Sequence, residues 1–132
     1  MDELDIEASL TEISRSKSQI TNVFHEVPSI CPNEIFTNLL THDQSSSSNS
    51  PPKIMRIISF GQVSQDWYNQ GDNEWVMLIQ GDATLEVEKN DEEIEILNMS
   101  AGDFRFLPKH QRHRVTFSSA DPPCIWIAVH FD

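Results

Sequence analysis

The sequence predicts an all-β protein, built as one antiparallel sandwich or barrel. Short runs that alternate apolar and polar side chains recur from residue 53 to residue 131, with turn residues between them. A chain of 132 residues has room for one core and one domain. No internal repeat is visible, which argues against two fused barrels.

The strands can be followed run by run. Lys53 to Phe60 is apolar on both sides, which indicates a strand covered on both faces. Glu74 to Gln80 is a second, nearly continuous apolar run. Residues 82–98 contain two alternating runs around the turn residues Lys89 to Glu92, and they predict a hairpin whose acidic face is exposed. Two further strands are expected, at 112–117 and 123–131.

The N-terminal part differs from this strand-rich region. Residues 1–22 are expected to form an acidic extension, partly helical or disordered, because the few apolar residues, such as Ile6 and Leu10, recur at helical spacing. Pro32 to Leu40 is expected to form a short amphipathic helix, since proline stands near its start.

The predicted organisation is therefore an extension at 1–22 and one barrel domain at 23–132. Inside that domain, residues 43–52 are rich in serine and end in two prolines, which predicts a flexible loop. The extension contributes too few apolar side chains to a core, so the barrel is expected to fold without it.

The composition argues against several partners. Nine Lys and Arg stand against 21 Asp and Glu, a formal net charge of -12, which repels nucleic acid and anionic membranes. The first residues contain neither a secretory signal nor a membrane span, so a soluble, cytoplasmic protein is expected. Cys31 and Cys124 are expected as small buried side chains rather than as a disulfide.

Polar side chains able to do chemistry gather in two stretches, 67–81 and 102–113. Antiparallel pairing of the strands between them would bring Glu74 and His113 together. The first stretch contains Tyr68, Gln70, Glu74 and Gly81, and the second contains Gly102, a short strand, Pro108, His110 and His113.

This spacing resembles the two motifs of the cupin superfamily, and the resemblance covers residues 54–131. Glu74-x6-Gly81 matches the end of the first motif, and Gly102-x5-Pro108 followed by His113 matches the second. The resemblance implies a single-domain jelly-roll β-barrel with a small-molecule pocket inside. Because this barrel supports many activities, function has to be argued from the site.

Typical members of the family hold a divalent transition metal (Fe, Mn, Ni, Zn or Cu) with three histidines and one glutamate. The chain keeps Glu74 and His113, but Tyr68 and Gln70 stand where the family has its two first-motif histidines. His110 replaces a family glycine, at a position expected to need an unusual backbone angle. The candidate metal ligands are Glu74, His113, Gln70, His110 and His130.

The role of His130 depends on which side of the last strand faces the interior. His130 shares one side with Trp126 and Ala128, by the period of two along a strand. The other side, from Ile125 to Phe131, is more uniformly apolar and is the better candidate for the dry core.

Two classes of function fit these residues. One is a metal-dependent enzyme of the oxygenase, isomerase or lyase type. The other is a metal-free cupin that binds or senses a small molecule without catalysis. Acid–base catalysis without metal is a third reading, with His113 as base, Tyr68 as acid and Glu74 orienting the histidine, so Tyr68 and His113 are the catalytic candidates.

A homodimer is also predicted. Cupins commonly pair through sheet edges, and the apolar strands at 54–60 and 124–131 would need protection if they lay at such edges.

Overall fold

The structure, a computed structural model, describes residues 20–40 and 51–132. These residues form eight β-strands in two antiparallel sheets and no helix. In this described part, no helix is long and apolar enough to cross a membrane. The strands are β1 (Ile35–Asn38), β2 (Lys53–Ser59), β3 (Asn73–Gln80), β4 (Asp82–Asn90), β5 (Glu93–Ser100), β6 (Phe104–Leu107), β7 (His113–Ser118) and β8 (Cys124–Phe131).

The two sheets pack face to face around one aliphatic core, as the predicted jelly-roll barrel requires. The larger sheet has the order β1-β2-β8-β3-β6, and the smaller has the order β5-β4-β7. Alternate residues of each strand point inward, so Val76 and Leu78 of β3 meet Leu85 and Val87 of β4 in the core. The all-β fold class is therefore confirmed.

The predicted hairpin is present as β4 and β5. Ala83, Leu85 and Val87 are buried, while Glu86 and Glu88 face outward and pair with Arg114 of β7 and with Arg112, which precedes β7. One face of this hairpin is thus in contact with solvent, as the alternating pattern indicates.

The prediction of a helix at 32–40 is wrong, because these residues contain strand β1 instead. β1 pairs with β2 from Ile35 opposite Ile58 to Asn38 opposite Met55. Ile35 and Thr37 are buried, and the residues between them are exposed. A helical pattern nine residues long is too short to be stable by itself, so pairing with the free edge of β2 decides the conformation.

The N-terminal predictions fall mostly outside the described residues. Residues 1–19 and 41–50 are not described, so the extension at 1–22 and the loop at 43–52 stay predictions. The described residues 20–22 are not helical.

The strands expected at sheet edges lie inside the larger sheet. β2 pairs with β1 and β8, and β8 pairs with β2 and β3, so the edges of this sheet are β1 and β6. The argument for a homodimer from these two strands is therefore wrong, and the homodimer stays a prediction without that support.

A second, smaller core lies on the outer face of the larger sheet. Cys31 packs there with Ile35, Ile58 and Ile125. The segment before β1 is tied to this face by Arg56, whose Nη1 donates to the backbone oxygens of Val23 (2.9 Å) and His25 (2.7 Å). Burial lowers the pKa of Arg56, although the charge of Glu26 opposes this shift. Both cysteines, Cys31 and Cys124, are buried and free, as expected.

Gly81 and Gly102 have similar backbone angles, but substituting them with alanine should reduce stability by different amounts. Gly81, between β3 and β4, has φ +90°, and a Cβ there would lie 2.6 Å from Ser119 Oγ and 3.1 Å from Cys124 Cα. Gly102 has φ +99°, but its Cβ would meet nothing within 4 Å. Gly102→Ala should therefore lower the free energy of unfolding by about 1–2 kcal/mol, the cost of the left-handed conformation alone. Gly81→Ala should lower the free energy of unfolding further. The clash of the new Cβ with the backbone of Cys124 adds to the cost of the left-handed conformation.

Urea unfolding of both variants checks this prediction. Equal losses in the two variants would contradict the close approach of β8 to the β3–β4 turn.

Candidate functional site

A cavity of about 330 Å³ lies between the two sheets. Apolar groups supply most of its surface, and five of its polar side chains lie together at one end: Tyr68, Gln70, Glu74, His113 and His130. A second, more open groove of about 410 Å³ lies beside β5 and β6, and no histidine or glutamate among the described residues lines it. The barrel cavity is therefore the candidate site.

Strand register brings the polar residues of the cavity together. Glu74, near the start of β3, lies directly opposite His130 of β8. His113 starts β7 in the other sheet, and it forms an isolated antiparallel bridge with Tyr68. In this bridge the Tyr68 N–H donates to the His113 oxygen (2.8 Å), and the His113 N–H donates to the Tyr68 oxygen (3.1 Å). The segment before β3 is thereby fixed beside β7.

The carboxylate of Glu74 lies between two imidazoles. Its Oε1 is 3.5 Å from His113 Nε2, and its Oε2 is 3.7 Å from His130 Nε2. Glu74 is 8% exposed and His113 is 7% exposed, so this contact is shielded from solvent. The prediction that Glu74 and His113 lie near each other is confirmed.

Each imidazole is also held through its other nitrogen. His113 Nδ1 lies 3.0 Å from the backbone oxygen of Gln111. A carbonyl oxygen can only accept, so His113 Nδ1 carries a proton and donates it. His130 Nδ1 lies 3.3 Å from Asp72 Oδ1 and 3.3 Å from Gln70 Nε2. Both rings therefore direct Nε2 toward Glu74.

These contacts favour the protonated form of His113. Burial lowers its pKa, but the hydrogen bond to Glu74, the bond to the Gln111 oxygen and the charge of Glu74 outweigh burial. The pKa of His113 is consequently raised above its ordinary value of 6.5. An imidazolium can donate to acceptors at both of its nitrogens, whereas a neutral ring would leave one acceptor unpaired.

Tyr68 and His110 take different positions. The Tyr68 side chain is 51% exposed and stands at the rim of the cavity, with its ring centroid 5.8 Å from that of His113. His110 has φ 65°, the unusual backbone angle expected there, and its Nδ1 lies 3.0 Å from Asn69 Oδ1. Because His110 is exposed and does not line the cavity, the structure does not bring it together with the other candidate ligands.

The preference for the Ile125 side of β8 as the main core is wrong. Trp126 and Ala128 belong to the core between the sheets, and His130 points into the cavity on the same side. Ile125 instead belongs to the smaller core on the outer face. β8 lies in the middle of the larger sheet and is covered on both faces, so hydrophobicity alone could not show which side faces the interior.

Two carboxylates near the cavity, Asp72 and Glu34, were not among the predicted site residues. Asp72 contacts His130, and its position two residues before Glu74 was a usable signal for a shared face. Glu34 lines the cavity from the residue before β1. The helix predicted at 32–40 gave no reason to place Glu34 at the cavity. In the observed extended conformation, Glu34 lies on the same side as Phe36 and faces the cavity.

The donor groups do not form a ready metal site. Within residues 20–40 and 51–132, no group of three or more His, Cys, Asp or Glu side chains is arranged to hold a metal ion. The two imidazoles approach opposite oxygens of Glu74 rather than converging with it on one point. Tyr68 and Gln70, in place of histidines, supply weaker donors for a divalent ion.

Comparison with known proteins gives matches among solved structures. No protein-family model matches the chain, and no curated protein sequence matches it. A candidate mannose-6-phosphate isomerase from Ralstonia eutropha JMP134 is 38% identical, with a TM-score of 0.72, over 86% of this chain and 98% of that one. A cupin superfamily protein from Desulfitobacterium hafniense DCB-2 is 9% identical, with a TM-score of 0.65, over 88% of this chain and 93% of that one.

A third match is hydroxypropylphosphonic acid epoxidase from S. wedmorenis, in complex with fosfomycin. It is 16% identical, with a TM-score of 0.56, over 74% of this chain and 51% of that one. At 9% and 16% identity the likeness concerns the fold alone. The Ralstonia eutropha protein, at 38% identity, is matched over nearly its whole length. This match shows that it and this chain share a family. This match, together with the two-sheet barrel and the cupin motif positions of Glu74 and His113 in this sequence, shows that the chain belongs to the cupin superfamily.

Proposed function

We propose that this cupin binds a small molecule in its barrel cavity without a resident metal, and holds a polar group of that molecule at Glu74, His113 and His130. The observation that carries the proposal is one buried carboxylate shared by two imidazoles at one end of a mainly apolar cavity. Buried charged groups reduce stability unless they are paired, and such clusters in cavities are typical of binding sites.

The walls of the cavity favour a ligand with a substantial apolar part. Ile57, Leu85 and Trp126 are among the described lining residues. The described lining contains no Lys or Arg. Proteins usually bind phosphate through Arg or Lys. The cavity therefore does not favour a sugar phosphate, although the similar Ralstonia eutropha protein is named for one.

The raised pKa of His113 favours its role as a hydrogen-bond donor. A protonated imidazole can donate to a ligand oxygen or transfer a proton to it, but it cannot act as a base until it loses that proton. If the cavity performs acid–base chemistry, His113 is therefore better suited as the acid than as the base. Glu74, 3.5 Å away, stabilises the charge and orients the ring.

A divalent metal is the second candidate, and one observation favours it. Both imidazoles are held through Nδ1 and turn Nε2 toward a carboxylate, the arrangement usual for histidines that bind metals. Glu74, His113 and His130 then offer the donor types of a two-histidine, one-carboxylate site, with Gln70 beside them. Such a site would require the side chains to rearrange around one point.

We expect 1-octanol to bind saturably in this cavity, since it combines an apolar chain with one polar group. Val115→Phe, which narrows the cavity, should weaken binding by about tenfold or more, equivalent to about 1.4 kcal/mol. Ile96→Phe places the same side chain in the outer groove and should have no effect. Isothermal titration calorimetry checks the prediction, and equal effects of the two variants would contradict it.

The stability contributed by His113 should depend on pH. Because its pKa is raised in the folded protein, this contribution is complete below the unfolded value of about 6.5 and is lost as the pH rises through the folded value. The difference in unfolding free energy between wild type and His113→Gln should therefore shrink from about pH 6 to about pH 9. Urea unfolding across this range measures it.

A His113 contribution that grows with pH would show that the ring is neutral in the folded protein.

Purified wild-type protein should contain well under one divalent metal ion per chain, because no group of three donors is already arranged among the described residues. Elemental analysis of wild type, Glu74→Ala, His113→Ala, His130→Ala and His110→Ala tests this. A stoichiometric ion that is lost in the first three variants and retained in His110→Ala would establish the second candidate instead.

A further inference from the structure

We infer that the cavity has a second polar subsite at its opposite end, formed by Glu34 and Ser59, which accepts a hydrogen-bond-donating group of an elongated ligand. The group is a hydroxyl or an ammonium. The inference rests on the proposed function, because it assigns the far end of the same cavity.

Strand register places this subsite far from the Glu74 cluster. Ser59, the last residue of β2, pairs with Cys124, the first residue of β8. His130, which lies opposite Glu74, is six residues further along β8. At about 3.3 Å per residue, the two positions are about 20 Å apart along the sheet. Both nevertheless line the same cavity, which is therefore elongated.

The two residues form a defined polar contact. Ser59 Oγ donates to Glu34 Oε2 at 2.5 Å. The pairing of Ile35 with Ile58 places Glu34, one residue before β1, opposite Ser59 and on the inward side that Phe36 shares. Ser59 is 3% exposed and Glu34 is half-buried. The carboxylate is thus oriented by a buried hydroxyl at the cavity wall.

Most of the wall between the two polar ends is apolar. Met55 and Ile57 lie between them on β2, and Trp126 lies between them on β8. No Lys or Arg is among the described lining residues, so an anionic group beside Glu34 would face uncompensated repulsion. A carboxylate accepts hydrogen bonds and attracts cations, which favours a hydroxyl or ammonium there. The ligand that fits has two polar ends and an apolar middle.

A purely structural role is the competing explanation, in which the Glu34–Ser59 contact only fastens β1 to β2. The two roles differ in what they predict for ligand selectivity. A fastening contact changes stability when it is removed, but it leaves the relative affinities of charged ligands unchanged.

Calorimetric titrations with 1-octylamine, 1-octanol and octanoate at neutral pH test the subsite. Wild type should bind octylamine at least about tenfold more tightly than octanoate. Glu34→Gln keeps the shape of the side chain and should bring this ratio close to one. Ser59→Ala keeps the carboxylate and should retain most of the preference.

One further variant controls for charge. Glu26→Gln removes one negative charge at an exposed position outside the cavity. It should keep the octylamine preference. A preference that survives Glu34→Gln, or that Glu26→Gln removes equally, would overturn the subsite.

The outcomes separate this inference from the proposed function. Saturable binding of 1-octanol with equal affinities for octylamine and octanoate would overturn the subsite and leave the proposed function standing. Failure of all three probes to bind would overturn both. Octylamine selectivity that depends on Glu34 would support both.

Discussion

The site depends on the contact of one buried carboxylate, Glu74, with imidazoles from both sheets. His130 reaches Glu74 from the larger sheet, and His113 reaches it from the smaller sheet. Burying a carboxylate is unfavourable unless charges or donors compensate it, so the cluster is stable only when the two sheets are packed together. The same packing creates the cavity, and folding and formation of the site are thus one event.

The chain has this cluster although Tyr68 and Gln70 stand at the positions of the two first-motif histidines. The raised pKa of His113 favours a proton on this ring, and a protonated His113 would balance the charge of Glu74. The imidazoles are oriented through Nδ1 in the way that metal-binding histidines are.

The cavity is more informative than the family about the kind of ligand. Apolar walls and the absence of Lys and Arg among the described lining residues favour an elongated, mostly apolar molecule. Carboxylates stand at both ends, Glu34 and Glu74, but only Glu74 has imidazoles beside it. The two ends therefore differ in charge, which gives the ligand a preferred orientation.

The sequence by itself determined the all-β class, the hairpin of β4 and β5, and the pairing of Glu74 with His113, because alternation and motif spacing are local signals. It did not determine β1 or the inward side of β8. Each of these depends on contacts distant in the chain: the free edge of β2 turned a helical pattern into a strand, and coverage of both faces removed the hydrophobic contrast along β8. Only the packing of the two sheets decided that His130, Asp72 and Glu34 line or adjoin one cavity.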